Sequence, residues 1–237
     1  MKAILFDLDG TLLPMNTEHF MNLYANAVTE KFHDYEEAKA IFPQIMKSVS
    51  HVVKSREDDT NYNKFFKHFD ESMPRSLDAY IPRFNEFYED GFHKVKPATS
   101  SSDDMVEAVQ ILKNKGYRLI IATNPIFPMR ANEQRIAWAG LDINDFSHVT
   151  SFEDNRHCKP YLEFYKEVLE KNDLSPEDVL MVGNDVQEDL SIRKMGAKTY
   201  LINNHIINRT PQEKIPTDYM GTYKDFLKFV KGLTRAL

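Results

Sequence analysis

The sequence predicts an α/β protein: a doubly wound, Rossmann-like parallel-sheet core with an all-helical cap domain inserted after its first strand. Three observations lead there. A short, wholly apolar run, Ala3 to Phe6, ends in Asp7 and Asp9, which suits a strand buried on both faces of a parallel sheet. Residues 14 to about 95 carry almost no strand pattern. From Lys96 onward strand and helix patterns alternate, as winding by parallel βαβ units requires.

The elements follow in order. After the first strand, Thr17 is the expected cap of a helix whose apolar positions Phe20, Leu23, Tyr24, Ala27 and Val28 keep helical spacing. A second helix is expected over about Glu36 to Lys54, kinked or restarted at Pro43. Asn61 to Phe69 and Leu77 to Phe92 read as two more, with Pro82 marking a start or kink in the latter. Such a set forms a small bundle. Ser101 or Ser102 then caps a helix that puts Met105, Ala108, Val109 and Leu112 on one face and stops at Gly116. Tyr117 to Ala122 is the second strand, and a helix covers roughly Pro128 to Ala139. His148 to Phe152 is the third strand candidate, and Pro160 is placed as the first residue of a helix through Glu170. Val179 to Val182 is the fourth strand, followed by a helix through Met195 closed by Gly196. Thr199 to Ile202 is the fifth, and Tyr223 to Leu233 the last helix. The expected domains are residues 1–14 with 96–237 as the core and 15–95 as the cap, hinged near Pro14 and near Lys96-Pro97.

Composition bounds the function. The chain of 237 residues is long enough for a core plus an insertion. A net charge of −6 and the lack of a basic run argue against nucleic-acid binding. The single cysteine, Cys158, rules out an intrachain disulfide framework and a cysteine metal cluster. The opening residues do not read as a signal peptide, and no stretch approaches the ~20 apolar residues of a membrane span. The expectation is a soluble cytoplasmic protein of unassigned oligomeric state.

The chemistry begins at Asp7 and Asp9, at the carboxyl end of a strand, where open α/β sheets bind ligands. Two carboxylates this close repel unless compensated. Mg²⁺ compensates them, and takes only one or two protein carboxylates when a substrate phosphate supplies further oxygens. Gly10 permits a sharp turn, and Thr11 offers a hydroxyl and an amide to an anion.

The octet Ile4-Leu5-Phe6-Asp7-Leu8-Asp9-Gly10-Thr11 resembles the first motif of the haloacid dehalogenase-like hydrolase superfamily. Thr123 after the second strand resembles the second motif, a hydroxyl that binds a phosphoryl oxygen; Asn124 beside it is a candidate to bind phosphate or orient Thr123. Lys159-Pro160 resembles the third, a lysine that neutralises nucleophile and phosphoryl group. Gly183-Asn184-Asp185-Val186-Gln187-Glu188-Asp189 resembles the fourth, which supplies further acid for the metal. Here the sequence departs from the commonest form: an alignment on Gly183 and Asp189 puts Asn184 where an Asp usually binds Mg²⁺, and an alternative alignment lets Asp185 take that place. Asn184 and Asp185 are both candidate ligands, with Asp185 preferred on charge, and Asp189 is expected to orient waters or Lys159.

The resemblance implies that Asp7 is a nucleophile forming an aspartyl-phosphate and that Asp9 protonates the leaving oxygen, then deprotonates water. Mg²⁺, Thr123, Lys159 and the amides near Gly10 would stabilise the phosphoryl oxygens. True dehalogenases of the superfamily lack the second acid, because a halide leaves unprotonated. Asp9 therefore implies a phosphatase acting on a small phosphorylated metabolite, with the cap reading the leaving group. A phosphomutase or other phosphoryl transferase of the superfamily, or a non-catalytic phosphate- or partner-binding member, stays open as an alternative. Among cap residues, Phe65, Phe66, Phe69, Phe84, Phe87 and Tyr88 either line a pocket or, the favoured reading, form the bundle's own core. His51, Lys54, Arg56 and His68 are polar candidates for substrate contact.

Overall fold

The computed structural model describes residues 1–236. Six parallel strands form one sheet in the order β3-β2-β1-β4-β5-β6. They are β1 (Ala3–Phe6), β2 (Arg118–Ile121), β3 (His148–Val149), β4 (Val179–Gly183), β5 (Lys198–Ile202) and β6 (Tyr219–Gly221). β1 lies between β2 and β4, with Phe6 opposite both Ile121 and Val182. The carboxyl ends of these three strands therefore meet at one edge. Asp7, Thr123 and Asn184, far apart in sequence, become neighbours there.

Helices α5 (Asp103–Asn114) and α8 (Tyr223–Gly232) cover one face, packing Met105, Val109, Phe226 and Val230 on Ile4, Phe6 and Leu180. Helix α7 (Leu162–Lys171) covers the other, packing Phe164 and Val168 on Leu5, Ile120 and Met181. The strands are buried on both faces, which is why they read as unbroken apolar runs. The sixth strand escaped the sequence reading because Tyr219 and Met220 are exposed on a sheet edge.

Helices α1 (Thr17–Lys31), α2 (Ala38–Lys54), α3 (Asn61–Asp70) and α4 (Leu77–Glu86) follow β1. A π turn (Phe87–Gly91) and a 3₁₀ segment (Phe92–Ala98) lead back to the core. The two connections run side by side: Asn16 N donates to Ala98 O and Ser100 N to Pro14 O, both at 2.9 Å. The helices share a cluster rich in aromatic rings, which also takes in Ala131, Phe152 and Cys158 of the chain beyond them.

Local details meet the expectation at some positions and depart from it at others. Asn16, not Thr17, caps α1, its side chain accepting from His19 N. Pro43 and Pro82 both lie inside their helices. Ser102 caps α5. The third strand keeps only His148 and Val149. Pro160 stands two residues before α7, which starts at Leu162. The segment after Asp185 winds as a 3₁₀ helix, Asp189–Met195. Helix α6 (Met129–Trp138) starts after Pro128. Among the described residues, no helix is long and apolar enough to cross a membrane.

Candidate active site

A buried ion triad holds the centre. Lys159 Nζ lies 2.9 Å from Asp7 Oδ1 and 2.7 Å from Asp189 Oδ1. Lys159 and Asp189 are each 1% exposed. The other Asp189 oxygen, Oδ2, accepts from the main-chain N–H groups of Asn184 and Asp185, at 3.0 and 2.9 Å. A Cβ at position 183 would collide with that carboxylate, so glycine is needed for Asp189 to reach in. Burial raises the Asp7 carboxyl above its ordinary value against the pull of Lys159. Burial likewise pushes Asp189 up to about 7. Burial pulls the Lys159 ammonium down, but Asp189 and Asp7 outweigh it and hold it well above the usual lysine value. Lys159 thus stays charged between two acids that share it.

Asp9 has its own cation. Arg135 of α6, fully buried, pairs with Asp9 Oδ2, while its other nitrogens bond Asn132 Oδ1 and the Ala131 carbonyl. The guanidinium also sits 4.3 Å from the Phe127 ring centroid. Asp9 Oδ1 is buried with no hydrogen-bond partner. Arg135 went unread in the sequence. Its signal was there: it sits on the inward stripe of α6 with Ala131, Asn132 and Ile136, and a buried arginine needs an acid.

Several expected ligands are engaged elsewhere. The Gly10 amide donates to Leu13 O at 2.8 Å and that of Thr11 to Leu8 O at 3.2 Å. The Thr11 hydroxyl is fully buried and donates to Asn184 Oδ1 at 2.9 Å. Gly10 and Thr11 therefore shape the turn and fix Asn184, a correction to their reading as phosphate donors. Gly10 has φ of +82°, and any Cβ there would strike the Asn184 amide. Asn124 is corrected as well: its Oδ1 accepts from Lys159 N at 3.1 Å and its Nδ2 donates to Glu188 Oε2 at 3.1 Å. It braces the lysine backbone instead of facing an anion. Thr123 follows β2 and is buried, its carbonyl accepting from Thr150 Oγ1 at 2.6 Å.

The preference for Asp185 over Asn184 is also corrected. Asp185 Oδ1 accepts from Gln187 N, Glu188 N and Arg209 Nη1 at 2.8–3.0 Å. Its charge is spent on Arg209 and on starting the 3₁₀ turn. Asn184 lines the same cavity as Asp9 and Gly10, with Nδ2 donating to His205 O at 2.7 Å. Glu188 is a further acid that the sequence reading passed over, next to Asp189 in the fourth motif. Burial, then Asp185, pushes it up to about 7.

The oxygen donors decide whether Mg²⁺ fits. Among the described residues, no group of three or more His, Cys, Asp or Glu is arranged to hold a metal. The hard oxygens at hand are the Asp7 carboxylate, the Asp9 main-chain carbonyl and Asn184 Oδ1, which leaves the Asp9 carboxylate free for proton transfer. These are Mg²⁺-type donors, and one or two carboxylates suffice when a phosphate adds its own oxygens. The set fits in kind, with less negative charge than a further carboxylate would bring.

A cavity of about 460 Å³ opens at Asp9, Gly10 and Asn184 and extends between α1, α2, α3 and α4. Phe65, Phe66, Phe84 and Tyr88 line it; Phe69 and Phe87 do not. None of His51, Lys54, Arg56 and His68 reaches it. His51 stacks on His68, and Arg56 lies over the Tyr161 ring.

Comparison with known proteins agrees with this fold. A family model described as haloacid dehalogenase-like hydrolase matches residues 1–196. Pyrophosphatase PpaX of Bacillus cereus is 26% identical over 236 residues, covering 99% of each chain. Among solved structures, a HAD phosphatase from Thermococcus onnurineus superposes with a TM-score of 0.61 at 23% identity, over 99% of this chain and 100% of that one. L-2-haloacid dehalogenase from Xanthobacter autotrophicus gives 0.58 at 16% identity, over 99% and 100%. At these identities the two structures establish the shared fold.

Proposed function

Because the chain belongs to the haloacid dehalogenase-like hydrolase family, we propose that it is a Mg²⁺-dependent phosphatase that hydrolyses a small phosphorylated metabolite through an aspartyl-phosphate on Asp7. The observation that carries this reading is the pairing of the two acids. Asp7 is held by Lys159, itself fixed by Asp189, while Asp9 is held by Arg135 at the mouth of a cavity sized for an organic group.

Lys159 occupies Asp7 Oδ1 and leaves the other oxygen to attack phosphorus. As that bond forms, the bond from phosphorus to the ester oxygen breaks, and Asp9 gives that oxygen a proton. Asp9 then takes a proton from a water, which attacks the same phosphorus and releases inorganic phosphate with Asp7 regenerated. Asp7, Asp9 and Asn184 are the residues that would hold Mg²⁺, which when bound compensates charge on the phosphoryl oxygens. Lys159 contributes a fixed positive charge beside Asp7, and Thr123 would contribute a hydroxyl. The helices of residues 15–95 serve as the cap that excludes water.

The test is release of inorganic phosphate from a panel of phosphate esters and inorganic pyrophosphate, with Mg²⁺ and with chelator. Metal-dependent release is expected, and Asp7→Asn is expected to abolish it with the fold intact by circular dichroism. Wild-type turnover by Asp7→Asn would overturn the nucleophile assignment. No release from any compound would overturn the phosphatase reading.

A further inference from the structure

The cavity beside Asp9 differs in chemistry from the centre it adjoins. Its walls are aromatic and aliphatic side chains, chiefly Phe20, Phe65, Phe66, Phe84, Phe127 and Phe152. Among the described residues, no lysine or arginine lines it. Two cations of the helical block point elsewhere: Arg56 lies over Tyr161, and Lys64 donates to the Arg156 carbonyl. Arg135 lies behind Phe127, spent on Asp9. The acids that do line it are Asp9 and Glu153, and Glu153 accepts the first amide of α6, Met129 N, at 3.1–3.2 Å.

A void of this size is not a packing defect. Interiors pack at crystal-like density, and a large apolar hole costs stability with its volume. About 460 Å³ falls within the roughly 300–1,000 Å³ of small-molecule sites. The ends of the cavity are also distinct: Asp9 lines it and Asp7 does not. In the proposed reaction Asp9 serves the leaving oxygen, so what fills the cavity is the leaving group.

We infer that this enzyme's substrates are phosphate esters of an uncharged, ring-sized apolar alcohol, such as an aryl phosphate, and that anionic leaving groups are disfavoured. The inference rests on the phosphatase reading and narrows it. An anionic leaving group, such as the phosphate of pyrophosphate or the carboxylate of phosphoglycolate, would enter an apolar chamber whose walls, among the described residues, carry two acids, no lysine or arginine, and a single histidine, His205. Burying an unpaired charge there is costly, and like charge repels it. An aromatic ring instead meets ring edges and faces on several sides. The Tyr24 and Tyr88 hydroxyls, 2.8 Å apart, and the Asn85 side chain offer the few polar contacts such a ring would use.

The experiment compares kcat/KM of the full chain for 1-naphthyl phosphate, 2-phosphoglycolate and inorganic pyrophosphate, with acetyl phosphate as a donor whose leaving group fills little of the cavity. Naphthyl phosphate is expected to exceed both anionic compounds by at least about tenfold, the discrimination a charge mismatch or misfit in an apolar pocket supports. Val49→Lys places an ammonium in the half-buried wall and is expected to shrink that ratio. Met46→Lys, at an exposed lining position, repeats the test should Val49→Lys fail to fold. Equal or better turnover of either anionic compound would overturn the inference while leaving the phosphatase reading intact. Should acetyl phosphate and all esters go unhydrolysed, the phosphatase reading falls. Equilibrium dialysis of 1-naphthyl phosphate against phosphoglycolate then decides the pocket alone, and no preference for the naphthyl compound would overturn it.

Discussion

Lys159→Met isolates the ion triad. Among the described residues, Lys159 Nζ is the one cation within reach of both Asp7 Oδ1 and Asp189 Oδ1, at 2.9 and 2.7 Å, and Asp189 is 1% exposed. Methionine keeps the length and apolar stem but strands both acids. Removing one partner of a buried pair typically costs about 3–5 kcal/mol. Asp189 keeps two main-chain donors, which places the expectation near the lower end, about 3 kcal/mol against a total of about 5–15. The sign with pH follows from the acids. Burial already lifts Asp189 to about 7 with the lysine present, and removing the lysine lifts it further. In the unfolded chain it titrates near about 3.9. Between these values the folded variant binds more protons than the unfolded one, so its stability falls as pH rises. The gap to wild type should therefore be small at pH 5 and widest at pH 8, measured by urea unfolding at both. Lys159→Met/Asp189→Asn should recover part of the loss at pH 8, because the neutral amide still accepts the two main-chain donors. A gap below about 1 kcal/mol at pH 8, or one that does not change with pH, would refute the argument that Lys159 compensates two buried charges.

Other perturbations test the neighbouring groups. Arg135→Met should cut kcat by about 10²-fold, because loss of its fork lets Asp9 leave its position at the cavity mouth; phosphate release checks it, and unchanged kcat would remove Arg135 from any positioning role. Asn184→Asp should lower the Mg²⁺ concentration for half-maximal activity by at least about threefold through added ligand charge. Part of that gain is lost because the amide donor to the His205 carbonyl goes too; an unchanged or higher requirement would remove Asn184 from the metal set. Burial pushes the Cys158 thiol up to about 12, so it should resist Ellman's reagent at pH 8 until the chain is unfolded. The folded state holds that proton across the window from about 8.5 to about 12, so stability should fall as pH rises through it, more gently in Cys158→Ala. Equal slopes would contradict a buried, protonated thiol.

The fold was legible because its strands carry an unmixed signal. A strand buried on both faces, such as Leu180-Met181-Val182, reads as a short apolar run whatever surrounds it. β6 was invisible for the opposite reason: Tyr219 and Met220 lie exposed at the sheet edge. At the site, motif spacing located the residues but not the direction of their side chains. Asp185 and Asn184 are adjacent in sequence, and Arg209, 24 residues on, together with the Gln187 and Glu188 amides, turns the acid away from the cavity. Asn124 and Thr11 likewise have the right chemistry for an anion, but nearer partners claim it. Charge alone favoured Asp185, and charge is a property that distant residues can cancel.

The fastening of the helical block was equally beyond a linear reading. Helices leave their first N–H groups without internal partners, and α3 gives two of its own to the core. Asn61 N donates to Asn155 O and Tyr62 N to Phe152 O, both at 2.8 Å, while the buried Asn61 side chain donates to Pro125 O at 3.0 Å. Tyr62, Phe65 and Phe66 close around the Phe152 ring at 5.2–6.3 Å. Separating the block here would give up three hydrogen bonds at a net of about 0.5–1.5 kcal/mol each, besides the aromatic contacts. The stretch after Pro125 and Phe152 therefore acts as a third point of attachment beside the paired connections at Pro14 and Ser100, and it lies against the wall the leaving group would occupy.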